Sequence, residues 1–272
     1  MKLLKGKKIA DAILKKIKEE IKKSSLQPAL AVVLVGNNPA SNLYVSLKKK
    51  AAEKIGINFQ LFQFSSKVKE TEVIQKIRKL NADKKISGII VQLPLPKNLN
   101  TQRIMDAIDS RKDVDGFSAK NTSRLQPVFP QAIMEILSAS FLKVPFRKEA
   151  KAVVIANSKK FGEVMVNTLR QKKIAGIYIL SNRLKKNIKK VQNADIIISA
   201  VGKPGLITDR MIKKGVVIVD GGITKKGKKV LGDVDFESVR NKAAFLTPVP
   251  GGVGPVTIAC LLRNTYMASL KK

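Results

Sequence analysis

Histidine is absent from the chain, tryptophan is absent too, and cysteine occurs once, at Cys260. Without histidine there is no His-dependent nucleophilic relay and no His-ligated metal. Acid–base work near neutral pH must then come from a Lys, Asp, Glu, Tyr or Cys whose pKa its surroundings have shifted. A single cysteine excludes a disulfide scaffold and a cysteine-built zinc site, and fits a reducing cytoplasm. Aromatic residues make up 5% of the chain, which supplies few stacking platforms for single-stranded nucleic acid. No run of 18 apolar residues occurs, so no transmembrane helix and no membrane partner are expected. The basic start, Met1–Lys8, leads into no continuous apolar segment and does not read as a secretory signal. Acids are scarce as well: 20 Asp and Glu stand against 53 Lys and Arg, a formal net charge of +33. Solvated lysine faces, steering of an anionic small substrate and nucleic-acid binding all compete to explain that excess. The lysines occur in every segment rather than in one arm, so charge alone does not make a nucleic-acid partner the expectation.

What is present is a chain long and apolar enough, at 272 residues and 44% hydrophobic, to bury a sizeable core in one or two domains. Ile9, Ile13, Ile17 and Ile21 recur at a spacing of four and predict an amphipathic helix. Leu30–Val35 reads as a buried strand closed by Gly36. Asn38 and Pro39 then open a helix that runs to about Ile55 and stops at Gly56. Asn58–Phe64 reads as a strand, Thr71–Asn81 as a helix and Ile86–Leu93 as a strand. A second series has strand candidates at Ala152–Ala156, Ile177–Leu180, Asp195–Ala200, Val216–Asp220 and Ala244–Leu246, and Thr257–Leu270 reads as a closing helix. Strands alternating with helices predict parallel α/β sheets, the second series in the manner of a doubly wound nucleotide-binding domain. The join falls between Gly116 and Glu149, and the closing helix could return to the first domain.

Four segments carry candidate chemistry. Tyr44 and Lys48, at i and i+4 in YVSLKKK, share a helix face, although a solvated lysine beside an interface tyrosine gives the same pattern. In VQLPLP (Val91–Pro96), Gln92 stands at the carboxyl end of a strand, where open α/β sheets hold ligands, or simply caps a proline-stiffened loop. KDVDGF (Lys112–Phe117) sets two acids beside a glycine, as a turn also would. TPVPGGVGPVT (Thr247–Thr257) reads as a loop of open backbone N–H groups that a flat ligand or phosphate could approach.

In this order, nearly end to end, the series resembles the bifunctional methylenetetrahydrofolate dehydrogenase/cyclohydrolase family. The resemblance implies an N-terminal α/β catalytic domain over residues 1–130, completed by a C-terminal helix over 257–272, and a Rossmann-like nucleotide-binding domain over 131–256, with a cleft between them. It implies oxidation of 5,10-methylenetetrahydrofolate to the methenyl cation with NADP, followed by hydrolysis to 10-formyltetrahydrofolate. It implies that Lys48 is the catalytic lysine, that Gln92 holds it, that Tyr44 stacks on the folate ring, and that Asp115 recognises the pterin edge. Leu93, Gly251, Gly252 and Pro255 join Tyr44 and Asp115 in lining the folate site. Ala156, Asn157, Ser158, Ser181, Arg183 and Ile223 meet the cofactor. A cytoplasmic homodimer follows from the same likeness.

The cofactor half departs from the family pattern. After the first Rossmann strand the family has G-R-S or G-A-S and then V-G-x-P, where this chain has Ala156-Asn157-Ser158 and then Phe161-Gly162-Glu163-Val164. The family's P-C-T-P is Pro127-Val128-Phe129-Pro130, and its H-S is Leu180-Ser181. The methyl of Ala156 and the ring of Phe129 are expected to narrow the dinucleotide pocket. An NAD site commonly ends its second strand in an acid. Here that end reads Ser181, Asn182, Arg183, with Lys185 and Lys186 beyond, which suits the 2′-phosphate of NADP, a solvated basic turn being the alternative. Two rival readings remain: a cyclohydrolase with a degenerate nucleotide site, and a lysine-rich nucleic-acid-binding protein.

Overall fold

A computed structural model of the chain describes residues 1–117, 125–141, 150–227 and 229–270. It divides into two compact units, one of Ala10–Gln131 with Thr257–Lys272, the other of Met1–Ile9 with Ala132–Val256. The chain opens with β1 (Lys2–Leu3) and α1 (Gly6–Lys23), then alternates β2 (Ala29–Val35), α2 (Pro39–Ile55), β3 (Asn58–Phe64), α3 (Glu70–Ala82), β4 (Gly88–Val91) and α4 (Thr101–Asp106).

In the first of these units β2 is the centre of a three-stranded parallel sheet of order β3-β2-β4. Every residue of β2 is buried, which is why it reads as an unbroken apolar run rather than an alternating one. Helix α2 starts where its sequence says: the Asn38 side chain accepts from the N–H groups of Ala40 (2.9 Å) and Ser41 (3.1 Å), and Pro39 needs no donor there. It ends at Gly56, whose φ of +88° is a left-handed cap. Helix α3 buries Val73, Ile77 and Leu80, the stripe that its spacing predicts.

Helix α5 (Val128–Phe141) crosses the division between the units, and the rest of the chain forms β5 (Lys151–Ala156), α6 (Lys159–Gln171), β6 (Ala175–Leu180), α7 (Ile188–Gln192), β7 (Ile196–Ala200), β8 (Val217–Asp220), β9 (Thr224–Lys226), β10 (Lys229–Leu231), α8 (Phe236–Val239) and β11 (Phe245–Leu246) of the second unit and the closing helix α9 (Val253–Ser269). The second unit's six-stranded sheet has the order β1-β11-β8-β7-β5-β6, parallel throughout, and β9 and β10 form a separate antiparallel pair. The chain passes from β5 to β6 on one side and then to β7 on the other. The carboxyl ends of β5 and β7 therefore flank a switch point, the place where doubly wound sheets take their ligands.

Three differences from the sequence expectation have physical reasons. Residues 1–9, grouped by expectation with the first domain, run with the nucleotide-binding unit because Lys2 and Leu3 pair with Phe245 and Leu246. A two-residue strand carries no readable period. TPVPGGVGPVT is not a loop throughout: α9 starts at Val253, and Pro255 lies in its first turn, where the missing N–H leaves no helical bond unmade. The join expected between Gly116 and Glu149 covers 118–124 and 142–149, which lie outside the described residues, and α5 occupies the part between them.

Candidate active site

Lys48 lies on α2, which follows β2, while Gln92 stands one residue past the end of β4, its N–H still bonded to the Val33 carbonyl of β2 (2.8 Å). The Lys48 ammonium donates to Gln92 Oε1 at 2.7 Å. Gln92 Nε2 donates in turn to the Leu93 carbonyl at 2.7 Å, which turns the amide so that its oxygen faces the lysine. The KDVDGF segment runs alongside: Asp113 forms a parallel bridge with Ile89, and the Ile89 N–H donates to the Lys112 carbonyl at 2.8 Å. That register carries Asp115 up beside the end of β4. Gly88 makes the approach possible, because a Cβ there would lie 2.6 Å from Val114 Cγ1. Asp113 accepts from the Gly116 N–H at 2.9 Å and closes the turn. The backbone of the segment is pinned on both sides of Asp115: Asn264 Nδ2 of α9 donates to the Val114 carbonyl (2.9 Å), and the Val128 N–H donates to the Asp115 carbonyl (3.1 Å).

The electrostatics follow from this packing. Burial pushes the Lys48 pKa down from the ordinary lysine value, and the Asp115 charge pulls it part of the way back. Burial pushes Asp115 up to about 6, against the opposing pull of Lys48 and with a further push from Asp113. Burial also raises the Tyr44 phenol, one turn before Lys48. Lys48, Gln92 and Asp115 thus form one electrostatically coupled cluster at the carboxyl ends of β2 and β4. Leu93 follows it with an exposed side chain (38%), and its carbonyl also accepts from Ser41 Oγ at 3.4 Å.

In the nucleotide-binding unit β5 ends at Ala156, and Ser158 caps α6 by accepting from the Phe161 N–H at 3.2 Å. Asn157 reaches across the switch point: its Nδ2 donates to the Val201 carbonyl beyond β7 (2.9 Å), and its Oδ1 accepts from Ser181 Oγ beyond β6. Gly162 permits close packing of α6 on β6, since a Cβ there would sit 2.2 Å from Tyr178 Cδ2. Arg183, Lys185 and Lys186 are exposed after β6. A strand, a capped turn, a helix N-terminus and a basic rim fit a phosphorylated dinucleotide. One expectation changes here. Ala156 is fully enclosed, 0% exposed, so its methyl packs inside the unit and offers no surface to a ligand; Asn157 is the accessible residue of the turn. Phe129 is half-buried in the first turn of α5. Ile223, half exposed at 50%, follows β8.

Gly251 has φ +100° and its carbonyl accepts from the Gly6 N–H at 2.9 Å. Gly252 is buried, and a Cβ there would fall 2.6 Å from the Pro248 carbonyl oxygen. Both glycines are required by the backbone itself, whatever else they meet. Sequence reasoning missed Gly88 and Asn264. The first looks like any strand-edge glycine, and the second is one of several polar residues in a largely apolar helix. No helix is long and apolar enough to cross a membrane, and no cluster of acids and cysteine fit for a metal ion occurs, in both cases among the described residues.

An acid–base cluster at the strand ends of one α/β unit, together with a parallel nucleotide-binding sheet in the other, defines a two-unit α/β enzyme of the NAD(P)-dependent kind. The chain belongs to the tetrahydrofolate dehydrogenase/cyclohydrolase family: residues 4–115 match the family's catalytic domain and residues 127–272 its NAD(P)-binding domain. The "Bifunctional protein FolD" of Moorella thermoacetica is 42% identical over 98% of this chain and 98% of its own length, and that of Staphylococcus aureus strain Newman is 42% identical over 98% and 96%. Among solved structures, the bifunctional FolD methylenetetrahydrofolate dehydrogenase/cyclohydrolase of Campylobacter jejuni has a TM-score of 0.89 at 36% identity, covering 100% of this chain and 99% of its own. The Trypanosoma brucei enzyme, solved with NADP and an inhibitor, has a TM-score of 0.91 at 29% identity, covering 99% and 97%. These likenesses support neither the cyclohydrolase-only reading nor the nucleic-acid-binding one.

Proposed function

We propose that the chain oxidises 5,10-methylenetetrahydrofolate to 5,10-methenyltetrahydrofolate with NADP and then hydrolyses the product to 10-formyltetrahydrofolate. The observation that carries this reading is the 2.7 Å hydrogen bond from Lys48 to Gln92, in a cluster with Asp115. NADP would supply the hydride acceptor, and Asn157, Ser158, Ser181, Arg183 and Ile223 would hold it. In the hydrolytic step water adds to the methenyl carbon, the bond from that carbon to N5 breaks, N5 takes up a proton and one proton is released. A lysine at its free pKa of about 10.4 is a poor base. Burial lowers that pKa, and a cationic substrate disfavours the ammonium further, so Lys48 can take the water's proton and return one to N5. Gln92 fixes the direction of the amine. Tyr44 offers a flat face to the folate ring. Asp115, as a carboxylate, accepts the paired N–H groups of the amino-pyrimidine edge. Leu93, Gly251, Gly252 and Pro255 complete the folate contacts.

The enzyme is further proposed to be a cytoplasmic homodimer, on family likeness and on its single buried cysteine. Mixing the protein with methylenetetrahydrofolate and NADP, while following the absorbance of NADPH and of methenyltetrahydrofolate together, tests the reaction. Sedimentation equilibrium tests the dimer. Absence of NADPH formation at millimolar cofactor would overturn the dehydrogenase half.

A further inference from the structure

The nucleotide-binding unit encloses two carboxylates that the proposed reaction does not use. Asp233 is 0% exposed and Asp220 is 3% exposed. Asp233 Oδ2 accepts from Ser199 Oγ (2.6 Å) and from the Val201 N–H (2.8 Å), and its Oδ1 accepts from the Lys203 N–H (2.7 Å). Asp220, the last residue of β8, accepts at Oδ1 from the N–H groups of Gly222 (2.9 Å) and Asp233 (3.0 Å), and at Oδ2 from the Val234 N–H (3.0 Å). One carboxylate thus seats the backbone of the other. Both are pressed by glycines that no other residue can replace: a Cβ on Gly222 would lie 2.2 Å from the Asp233 carboxylate, and one on Gly232 would lie 2.0 Å from Asp220 Oδ2.

A buried carboxylate without partners costs several kcal/mol, so its donors are held as firmly as it is. The donors to Asp233 come from the turn after β7, which contains Gly202 at φ +77°. Asp220 holds the turn after β8, which contains Ile223. The two turns are tied directly as well, Thr224 Oγ1 donating to the Gly202 carbonyl at 2.9 Å. The chain of bonds does not stop there. Val201, whose N–H donates to Asp233, accepts at its carbonyl from Asn157, and Asn157 accepts from Ser181. Asp233 therefore lies at the root of a network that reaches Asn157, Ser181 and, through Asp220, Ile223, side chains from three separate turns at one end of the sheet.

We propose that Asp233, seated on Asp220, is the positioning residue for the cofactor: it sets the turns after β7 and β8 and, through Val201, the Asn157 and Ser181 side chains at the switch point. The inference rests on the reading that Asn157, Ser181 and Ile223 meet the dinucleotide. A carboxylate is needed because three donors converge on it and an amide would turn a donor of its own toward one of them.

The test is NADP titration of purified Asp233→Asn by calorimetry, with hydrolysis of supplied methenyltetrahydrofolate, which needs no cofactor, measured beside it. Asp233→Asn is expected to raise the NADP Kd about ten- to a hundredfold, the scale of a lost hydrogen bond to a charged group, and to hydrolyse at the parent rate. A merely structural lesion would lower both together, and that result overturns the proposal. So does parent NADP affinity in a folded Asp233→Asn. Should Asp233→Asn fail to fold, Ser199→Ala, which removes one donor from the same carboxylate, is titrated instead: a weaker Kd of several-fold with parent hydrolysis supports the proposal, and an unchanged Kd overturns it. Ile223→Ala separates the two levels. Parent NADP affinity in Ile223→Ala would overturn the placement of that turn at the cofactor and the proposal with it. Weakened affinity there, with parent affinity in Asp233→Asn, would overturn the positioning role alone.

Discussion

Replacing Gln92 by leucine isolates the part of catalysis that comes from aiming the lysine. Leucine keeps the size of the side chain and removes both ends of the amide. The 2.7 Å bond to Lys48 and the 2.7 Å bond to the Leu93 carbonyl disappear together. Hydrogen bonds to charged groups contribute about 1.5–3 kcal/mol, and each 1.36 kcal/mol is about tenfold in rate. If that interaction serves to orient the amine in the transition state, methenyl hydrolysis falls roughly ten- to a hundredfold. The pH profile moves in a stated direction as well. The Gln92 carbonyl favours the ammonium over the amine, so its loss pushes the Lys48 pKa further below the ordinary lysine value, the direction in which burial already drives it. The rising limb of the hydrolysis profile therefore shifts toward lower pH while its plateau drops. Gln92 is half-buried at a strand end, so the fold is expected to survive, and circular dichroism checks that. Stopped-flow hydrolysis of methenyltetrahydrofolate from pH 6 to 9 decides the matter. A folded Gln92→Leu with the parent plateau and the parent midpoint would refute the aiming role.

Lys48→Met is expected to lose roughly a hundredfold or more of methenyl hydrolysis, the scale of a missing acid–base group, and a folded variant at the parent rate would remove Lys48 from the mechanism. Asp115→Ala is expected to weaken folate in both reactions by about 2–5 kcal/mol, read by calorimetry with a folate ligand. Because the Asp115 pKa is raised to about 6, its acceptor form declines below that pH, and folate affinity is expected to fall as the solution is acidified through pH 6. Stability runs the other way: a pKa raised from 3.8 to about 6 at Asp115 and at Asp220 makes a contribution that is whole below about pH 4 and lost as pH rises through 6. Because Asp109 and Asp195, with lowered pKa values, act in the opposite sense, the contribution is read as a difference: a melting-temperature gap between Asp220→Asn and the parent that stays constant from about pH 4 to 6 would contradict the Asp220 shift. Arg183→Ala is expected to weaken NADP about tenfold and leave NAD nearly unchanged, and titration with both cofactors reads the difference.

The parts of the fold that announced themselves were those with a strong local signal. The Asn38-Pro39 start and Gly56 stop of α2 are chemical instructions to the backbone, and the short apolar runs of β2, β5 and β7, alternating with helical segments, suit strands buried in a parallel sheet. Tyr44 and Lys48 were legible as a pair because a helix has a fixed period. Their link to Gln92 and Asp115 was not, because it depends on which strands become neighbours, and periodicity says nothing of that. The resemblance of whole segments supplied it instead. The expected steric role of Ala156 failed because a turn's sequence does not say which side its methyl faces. Asp233 could have been noticed: Asp233-Val234-Asp235 repeats the Asp113-Val114-Asp115 pattern beside a glycine. The two copies serve different ends. Asp115 holds a part-buried carboxylate beside Lys48, while Asp233 turns its carboxylate inward onto backbone N–H groups.

The pairing of β1 with β11 has a consequence for the order of events during synthesis. Lys2 and Leu3 are made about 240 residues before their strand partners, Phe245 and Leu246. At translation rates of about 5–20 residues per second the wait is on the order of ten to fifty seconds. Throughout that interval the opening residues have no sheet edge to join, while the helices and strands built from local contacts can already form. The six-stranded sheet therefore gains its β1 edge only once β11 has been made. A ribosome stalled before residue 245 would carry the three-stranded sheet with all of its strands and the six-stranded one with its edge still open.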